Sequence, residues 1–151
     1  MTCCVIGVGN ELRGDDAVGL VVARALAAEL DGGVRVHECE GEPVSIISAW
    51  EGCDRAIVVD ATQSAATPGT IRRIAAHAGP LPASLSRSSS HLLGVADAIE
   101  LARALGRLPA RTIVYGIEGA AFATGTEISE PVAAAAERVV AAIRRELQEN
   151  G

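Results

Sequence analysis

Hydrophobic positions along the chain follow two patterns that alternate from one segment to the next. Runs that are apolar at nearly every position, such as residues 3–8 and 55–61, are typical of strands buried on both faces of a sheet. Segments with an apolar residue at every third or fourth position, such as 18–30, predict helices with one apolar face. The same patterns predict further strands at 34–39, 69–76 and 112–118 and further helices at 44–50, 92–105 and 129–147.

The order of these segments predicts the fold. Strands that alternate with helices of this length are joined by right-handed crossovers and form a mostly parallel sheet. We therefore expect an α/β fold of three layers, in which a twisted sheet of about five strands has helices on both faces. The segment 69–76 is expected at an edge, because Arg72 and Arg73 would be costly in the buried centre of a sheet. We expect residues 1–151 to form a single domain, since this is an ordinary domain size.

Composition agrees with this fold and argues against some classes of partner. Hydrophobic residues make up 49% of the chain, but it contains one Phe, one Trp and one Tyr, so the core must be built from Val, Ile, Leu and Ala. The formal net charge is -6, and no cluster of Lys and Arg is interleaved with aromatic residues, which argues against a nucleic-acid partner. A monomer is expected, because one domain can bury all the apolar helix faces.

The cysteines and the lack of a hydrophobic leader predict the cellular location. The four cysteines form no CxxC pair, and no apolar run approaches about 18 residues, the length needed to cross a membrane. The chain is therefore expected in the cytoplasm, away from the membrane and with reduced thiols. Cys3 and Cys4 fall in the first predicted strand, where we expect them to be small core residues.

Polar residues follow the predicted strands at three points. Asp15 and Asp16 come after the first strand, Asp60 ends the third, and His91 stands just before a long helix. Parallel α/β sheets bind ligands beyond the carboxyl ends of their strands, so these side chains can meet at one edge. Two carboxylates and a neutral imidazole suit a divalent metal ion and leave positions open for water or substrate. Taken singly, Asp16 is also typical of an acid at a helix N-terminus, and His91 of a cap or surface residue.

A phosphate-binding loop is an alternative interpretation of residues 5–19, which we call the first motif. A dinucleotide site needs three glycines in the pattern GxGxxG, which let a pyrophosphate approach the backbone. Here Gly7 and Gly9 are not followed by a third glycine at the required place, because Leu12 stands there. The two carboxylates that follow would also repel a phosphate. A nucleotide-binding α/β module is therefore the less favoured alternative.

Other hydrolase signatures are absent from the sequence. Neither GxSxG nor HExxH occurs, and no cysteine stands at a predicted helix start with a histidine nearby. His37 and His77 fall in or beside edge-like strands, and we expect both to have surface roles.

The residues of these motifs resemble a known family. The stretch VIGVGNELRGDDAVG at 5–19 is similar to the signature of the hydrogenase maturation proteases, in which GxGNxLxxD[DE]xxG follows an N-terminal strand. The segments VVDA at 58–61 and SSSHLLGVADAIELARALG at 88–106 stand where that family has them. The same is true of VYGIEG at 114–119 and GTEISEPVAAAAERVV at 125–140, so the resemblance spans nearly the whole chain.

The resemblance implies an endopeptidase that removes a short C-terminal extension from the precursor of a [NiFe]-hydrogenase large subunit after nickel insertion. It also implies that three residues meet the metal, which by motif position in this chain are Asp16, Asp60 and His91. Nickel is then expected to be carried by the precursor rather than held by the free enzyme, and to mark precursors that are ready for cleavage. Either the ion or one carboxylate could activate the attacking water. A non-catalytic chaperone that binds the precursor through nickel remains a further alternative.

Two positions depart from the family pattern. The ligand in the first motif is often Glu, whereas Asp16 is one methylene shorter, so the ion would lie closer to the loop or be held less tightly. Many members have a glycine-rich turn after the second strand, where this chain has EGEPVSII at 40–47. Glu40 and Glu42 could therefore contact a substrate, although a solvated loop is the simpler expectation.

Overall fold

The computed structural model describes residues 2–30, 32–82 and 94–149. Within these residues five strands form one sheet: β1 (Cys3–Val8), β2 (Val34–Cys39), β3 (Arg55–Thr62), β4 (Ile71–Ala75) and β5 (Arg111–Glu118). The same residues form four helices: α1 (Val18–Glu29), α2 (Pro43–Ala49), α3 (Val95–Leu105) and α4 (Glu130–Glu149). Short 3₁₀ turns occupy Gly14–Ala17, before α1, and Ala76–Ala78, after β4.

The predicted elements are confirmed within the described ranges, with bounds that agree to within two residues. For α3 only the end can be compared, because residues 92–93, where the helix is predicted to begin, lie outside the described residues. That end is set by Gly106, whose φ of +69° lies in the left-handed region that glycine adopts without strain.

The strand order is β2-β1-β3-β5-β4, with β4 antiparallel to β5 and the other neighbours parallel. This is the expected mostly parallel sheet. Every residue of the central strand β3 is buried, whereas most residues of β2 and β4 at the two edges are partly exposed. The edge position predicted for β4 is confirmed, and it lets Arg73 form an ion pair with Glu146 of α4.

Helices cover both faces of the sheet. Because side chains alternate along a strand, Val5 and Ile57 pack under α1 and α4, while Ile6 and Val58 pack under α2 and α3. The result is the predicted three-layer α/β architecture. None of the helices in the described ranges is both long enough and apolar enough to cross a membrane.

Helix α1 approaches the sheet through two glycines. A Cβ atom on Gly19 of α1 would lie 2.4 Å from the carbonyl oxygens of both Val8 and Val59. One on Gly7 of β1 would lie 2.2 Å from the carbonyl oxygen of Gly19. Helix and sheet can therefore come this close only without side chains at these positions. The contact holds the first turn of α1, directly after the first motif, against β1 and β3.

We expect Gly19→Ala to lower the free energy of unfolding by about 2–3 kcal/mol, because the added methyl group must push α1 away from the sheet. Urea denaturation measures this change. Gly33→Ala is the matched control, since no atom lies within 4 Å of a Cβ placed there. If the Gly19→Ala variant were as stable as Gly33→Ala, the close approach of α1 would not constrain the fold.

Candidate active site

Asp16 lies in the 3₁₀ turn that joins β1 to α1, and it is fully buried. The backbone N–H of Asn10 donates to Asp16 Oδ2 at 3.1 Å, and the N–H of Asp16 donates to the carbonyl oxygen of Arg13 at 3.1 Å. Gly9 has a φ of +158°, and a Cβ atom there would lie 2.0 Å from the carbonyl oxygen of Asp16. The glycine therefore allows the loop to fold back tightly on the turn that carries this carboxylate.

Asp60 lies near the end of β3, the strand that pairs with β1, and is 4% exposed. Its Oδ1 accepts a hydrogen bond from the N–H of Ala61 at 2.8 Å. The residue lines a small cavity together with Leu81 and Val95, the latter in the first turn of α3. Leu81 precedes residues 83–93 in the sequence and Val95 follows them, and both line the cavity beside Asp60.

Asp60 lies near the end of β3, and Asp16 lies in the turn that follows the neighbouring parallel strand β1. Both therefore lie where the carboxyl ends of the parallel strands meet, which we call the carboxyl edge of the sheet. The third candidate, His91, lies outside the described residues. In the part of the chain that the structure describes, no group of three or more His, Cys, Asp or Glu residues is placed to hold a metal ion. The predicted set of three ligands therefore stays a prediction.

Asp15, the first of the two acids in the motif, is also fully buried, but its carboxylate meets a different loop. It accepts hydrogen bonds from the N–H groups of Ala120 and Ala121 at 2.7 and 3.0 Å, and from the N–H of Ser129 at 2.7 Å. Burial acts to raise the pKa of Asp15, but these hydrogen bonds outweigh it and hold the pKa below its usual value. Asp15 therefore ties the 3₁₀ turn to the segment after β5.

Ser129 connects the start of α4 to the first motif. Helix α4 begins directly after this residue, and the carbonyl oxygen of Ser129 accepts a hydrogen bond from the N–H of Ala133 at 2.9 Å. Its hydroxyl group, however, donates to Asp15 at 2.9 Å. The start of α4 is thereby joined to the turn before α1.

Glu118, at the end of β5, is a buried carboxylate that the sequence analysis did not single out. It is 3% exposed and accepts hydrogen bonds from the hydroxyl of Thr62 at 2.8 Å and from the N–H and hydroxyl of Ser64 at 2.9 and 2.8 Å. Thr62 also lines the cavity beside Asp60. The signal in the sequence was an acid at the end of a strand, which is the signal that identified Asp60. Since its oxygens meet three donors, Glu118 holds the loop after β3 in place.

A groove of about 290 Å³ lies beside the first motif and is lined by residues of the β1 loop, α1 and β2. Arg24 of α1 contacts Glu11 at 3.0 Å and Glu38 at 2.9 Å. Glu40, one of the two acids considered for substrate contact, also lines this groove, whereas Glu42 stands at the N-cap position of α2. Carboxylates therefore outnumber cations in the groove next to the 3₁₀ turn.

The other two histidines were expected to have surface roles. His77 is exposed, and its Nδ1 accepts a hydrogen bond at 3.0 Å from the N–H of Thr112. Thr112 lies near the start of β5, at the amino ends of the parallel strands and away from Asp16 and Asp60. His37 is half-buried in β2, and burial together with the nearby charge of Arg35 lowers its pKa. The surface role is confirmed for His77 and only in part for His37.

We expect Asp15→Asn to lower the free energy of unfolding by about 2 kcal/mol at neutral pH, because an amide NH₂ group would face backbone donors. The pKa of Asp15 is lowered by folding, so its ionisation stabilises the fold above about pH 4, the usual pKa of an unfolded Asp. That contribution is lost as the pH falls through the lower pKa of the folded state. The difference between wild type and variant, measured by denaturation along a pH series, should therefore shrink in acid.

Asp97→Asn is the matched control for this experiment, because Asp97 is an exposed acid in the first turn of α3. We expect this control to leave stability almost unchanged. A stability difference between Asp15→Asn and wild type that stayed constant down to about pH 2 would contradict the role given to the Asp15 carboxylate.

The chain is similar in sequence to a protein family and to individual characterised proteins. The sequence profile of a family described as hydrogenase maturation protease matches residues 22–146. The hydrogenase expression/formation protein HupM of Azotobacter chroococcum mcd 1 is 27% identical over 150 residues, which cover 97% of this chain and 72% of that protein. HoxM of Azotobacter vinelandii, with the same description, is 25% identical over the same coverage.

Solved structures share the fold from end to end. The hydrogenase maturating endopeptidase HybD from E. coli superposes with a TM-score of 0.82 and is 26% identical, with 100% of this chain and 94% of that chain covered. The [NiFe] hydrogenase maturation protease HybD from Thermococcus kodakarensis gives a TM-score of 0.78 at 27% identity, with 96% and 98% covered.

The profile match covers well over half of the chain, and the sequence motifs at the carboxyl edge resemble the same family. We conclude that this chain belongs to the hydrogenase maturation protease family, and therefore to the proteolytic hydrolases.

Proposed function

We propose that this protein is the endopeptidase that removes the C-terminal extension from the precursor of a [NiFe]-hydrogenase large subunit once nickel has been inserted. In this proposal Asp16, Asp60 and His91 complete the coordination of the nickel ion that the precursor carries. Membership of the protease family supports the reaction class. The ligand set is supported by the burial and position of the two aspartates.

The observation that carries the proposal is the pair of carboxylates at one edge of the sheet. Asp16 is 0% exposed and Asp60 is 4% exposed, and they lie on or directly after neighbouring parallel strands. Carboxylate oxygens are ligands for divalent cations, and two carboxylates at one edge of the sheet can attract one such ion. A cation that arrives with the substrate can be that ion.

The position of His91 in the sequence is consistent with the same site. His91 stands four residues before Val95, and Val95 lines the cavity beside Asp60. A neutral imidazole would add a nitrogen ligand to two oxygen ligands, which is a mixed set that suits nickel. The net charge of -2 from the two carboxylates would balance a divalent ion and leave other positions for the ligands of the precursor.

The proposed mechanism separates recognition from cleavage. A precursor without nickel would gain nothing from the two carboxylates, whereas a loaded precursor gains their attraction, so the affinity difference selects loaded precursors. In the bound complex the nickel ion could polarise the scissile carbonyl group, or one carboxylate could accept a proton from the attacking water while the ion only orients the substrate. In either case the carboxylates would bind the substrate through the nickel ion.

We also propose that the chain acts in the cytoplasm as a monomer made of a single domain. The apolar faces of α1 and α4 pack on one face of the sheet and those of α2 and α3 on the other. This packing buries most of the apolar residues of the described helices within one chain and leaves Val44 and Leu105 among the exposed ones, which is compatible with a monomer.

The proposal is tested by incubating the protein with nickel-loaded and nickel-free precursor and measuring the mass of the large subunit. Wild type is expected to shorten only the loaded precursor. Asp16→Asn, Asp60→Asn and His91→Ala are each expected to slow this shortening by about 100-fold or more, because each removes a ligand from the ion that aligns the substrate.

Asp54→Asn is the matched control, since Asp54 stands at the opposite end of β3 from Asp60. Its carboxylate accepts a hydrogen bond from the N–H of Thr2 at 2.9 Å, which an Asn oxygen can also accept, so full activity is expected. Equal shortening of loaded and nickel-free precursor would rule out nickel as the recognition mark. Stable binding of the loaded precursor without shortening would identify a chaperone instead of a protease.

A further inference from the structure

A second cluster of reactive side chains lies at the amino edge of the sheet, away from the candidate active site. It consists of Cys4 in β1, Arg35 in β2 and Cys53, which stands just before β3. The guanidinium Nη2 of Arg35 donates to Cys53 Sγ at 2.6 Å and to the carbonyl oxygen of Glu51 at 2.8 Å. The second contact fixes the positively charged guanidinium group beside the Cys53 sulfur.

Cys4 lies against Cys53 on the inner side of this cluster. It is fully buried, which confirms the core role predicted for it, and it belongs to the same hydrophobic cluster as Cys53. Burial raises the pKa of the Cys4 thiol, and hydrogen bonding with Cys53 raises it further. Cys4 therefore stays protonated at neutral pH and presents its S–H group to its neighbour.

Only one of the two thiols borders solvent. Cys53 is 9% exposed and helps to line a surface cavity of about 310 Å³, together with Gly106 and Pro109 from the connection between α3 and β5. A small molecule in this cavity can reach Cys53, whereas Cys4 is 0% exposed. The two sulfurs thus differ in access and in the charge beside them, as the attacking and resolving members of an oxidisable pair do.

We propose that Cys53 and Cys4 form an oxidisable thiol pair that reacts with hydroperoxides. In the first step the Cys53 sulfur attacks one oxygen of hydrogen peroxide and the O–O bond breaks. The Cys53 proton leaves with the released hydroxyl group as water, and the product is a Cys53 sulfenic acid. In the second step the Cys4 sulfur attacks the sulfenic sulfur, and the S–O bond breaks. The Cys4 proton leaves with the hydroxyl group as water. The peroxide is reduced by two electrons, and the two thiols are oxidised to one disulfide.

The test uses the full chain, reduced and then exposed to a small excess of hydrogen peroxide. Intact mass should fall by two hydrogen atoms, and a non-reducing digest should contain a disulfide between the peptides that carry Cys4 and Cys53. Cys3 is adjacent to Cys4 and only half-buried, so a variant of Cys3 is the matched control for a variant of Cys4. The disulfide should persist in Cys3→Ser and be lost in Cys4→Ala.

Arg35→Gln tests the role assigned to the guanidinium group. We expect this variant to form the disulfide about tenfold more slowly, because the charge beside Cys53 is removed. Arg107→Gln is its control: Arg107 lines the same cavity but pairs with Glu51 at 3.8 Å. Its rate should equal that of wild type, which shows that the effect is not one of general surface charge.

Three results would overturn the proposal. One is a disulfide that forms between other cysteines at the same rate. Another is oxidation of Cys53 to a sulfinic acid with no link to Cys4. The last is an Arg35→Gln variant that reacts as fast as wild type. The proposal does not depend on the function proposed for the opposite edge of the sheet, so neither experiment decides the other.

Discussion

The carboxylate of Asp15 is the interaction on which the arrangement of the candidate site depends. A parallel sheet brings the ends of β1 and β5 to one edge, but it does not set the path of the loops beyond them. Asp15 sets that path by gathering the N–H groups of Ala120 and Ser129, which follow it by 105 and 114 residues. A charge buried without such donors would cost several kcal/mol, so the two loops must keep their positions for the chain to fold. Asp16, the next residue, is held by the same constraint.

Two of the buried carboxylates at this edge have a structural role. Asp15 and Glu118 each meet three or more donors of this chain and hold loops together. Asp16 and Asp60 lie at the same edge, and Asp60 lines a cavity. The structural acids give the site a rigid frame, and a rigid frame is what a metal-dependent recognition step needs, because ligands must be presented at fixed distances.

Among the described residues, the buried charged side chains at the carboxyl ends of the strands and those at the amino ends differ in sign, and they do so for a common reason. In a parallel α/β fold the helices begin near the carboxyl ends of the strands and end near their amino ends, so the backbone dipoles favour acids at one edge and bases at the other. Asp16 precedes α1, whereas Arg55, at the start of β3 and 1% exposed, donates to the carbonyl oxygen of Glu146 near the end of α4 at 3.0 Å. Arg35 beside Cys53 lies at the same edge as Arg55. Candidate proteolytic chemistry and the proposed thiol pair are thus separated by the full length of the strands.

The sequence by itself determined the type, order and approximate bounds of the described elements, and it placed Asp16 and Asp60 at one edge of a parallel sheet. It could do so because hydrophobic period, glycine breaks and acids at strand ends are local signals. Tertiary structure alone decided that Asp15, and not the adjacent and chemically identical Asp16, binds the segment after β5. It also decided that β4 runs antiparallel and that Arg35 meets Cys53 across the start of the sheet. These contacts join residues far apart in the chain, and their partners are chosen by strand register and loop path, which no local pattern encodes.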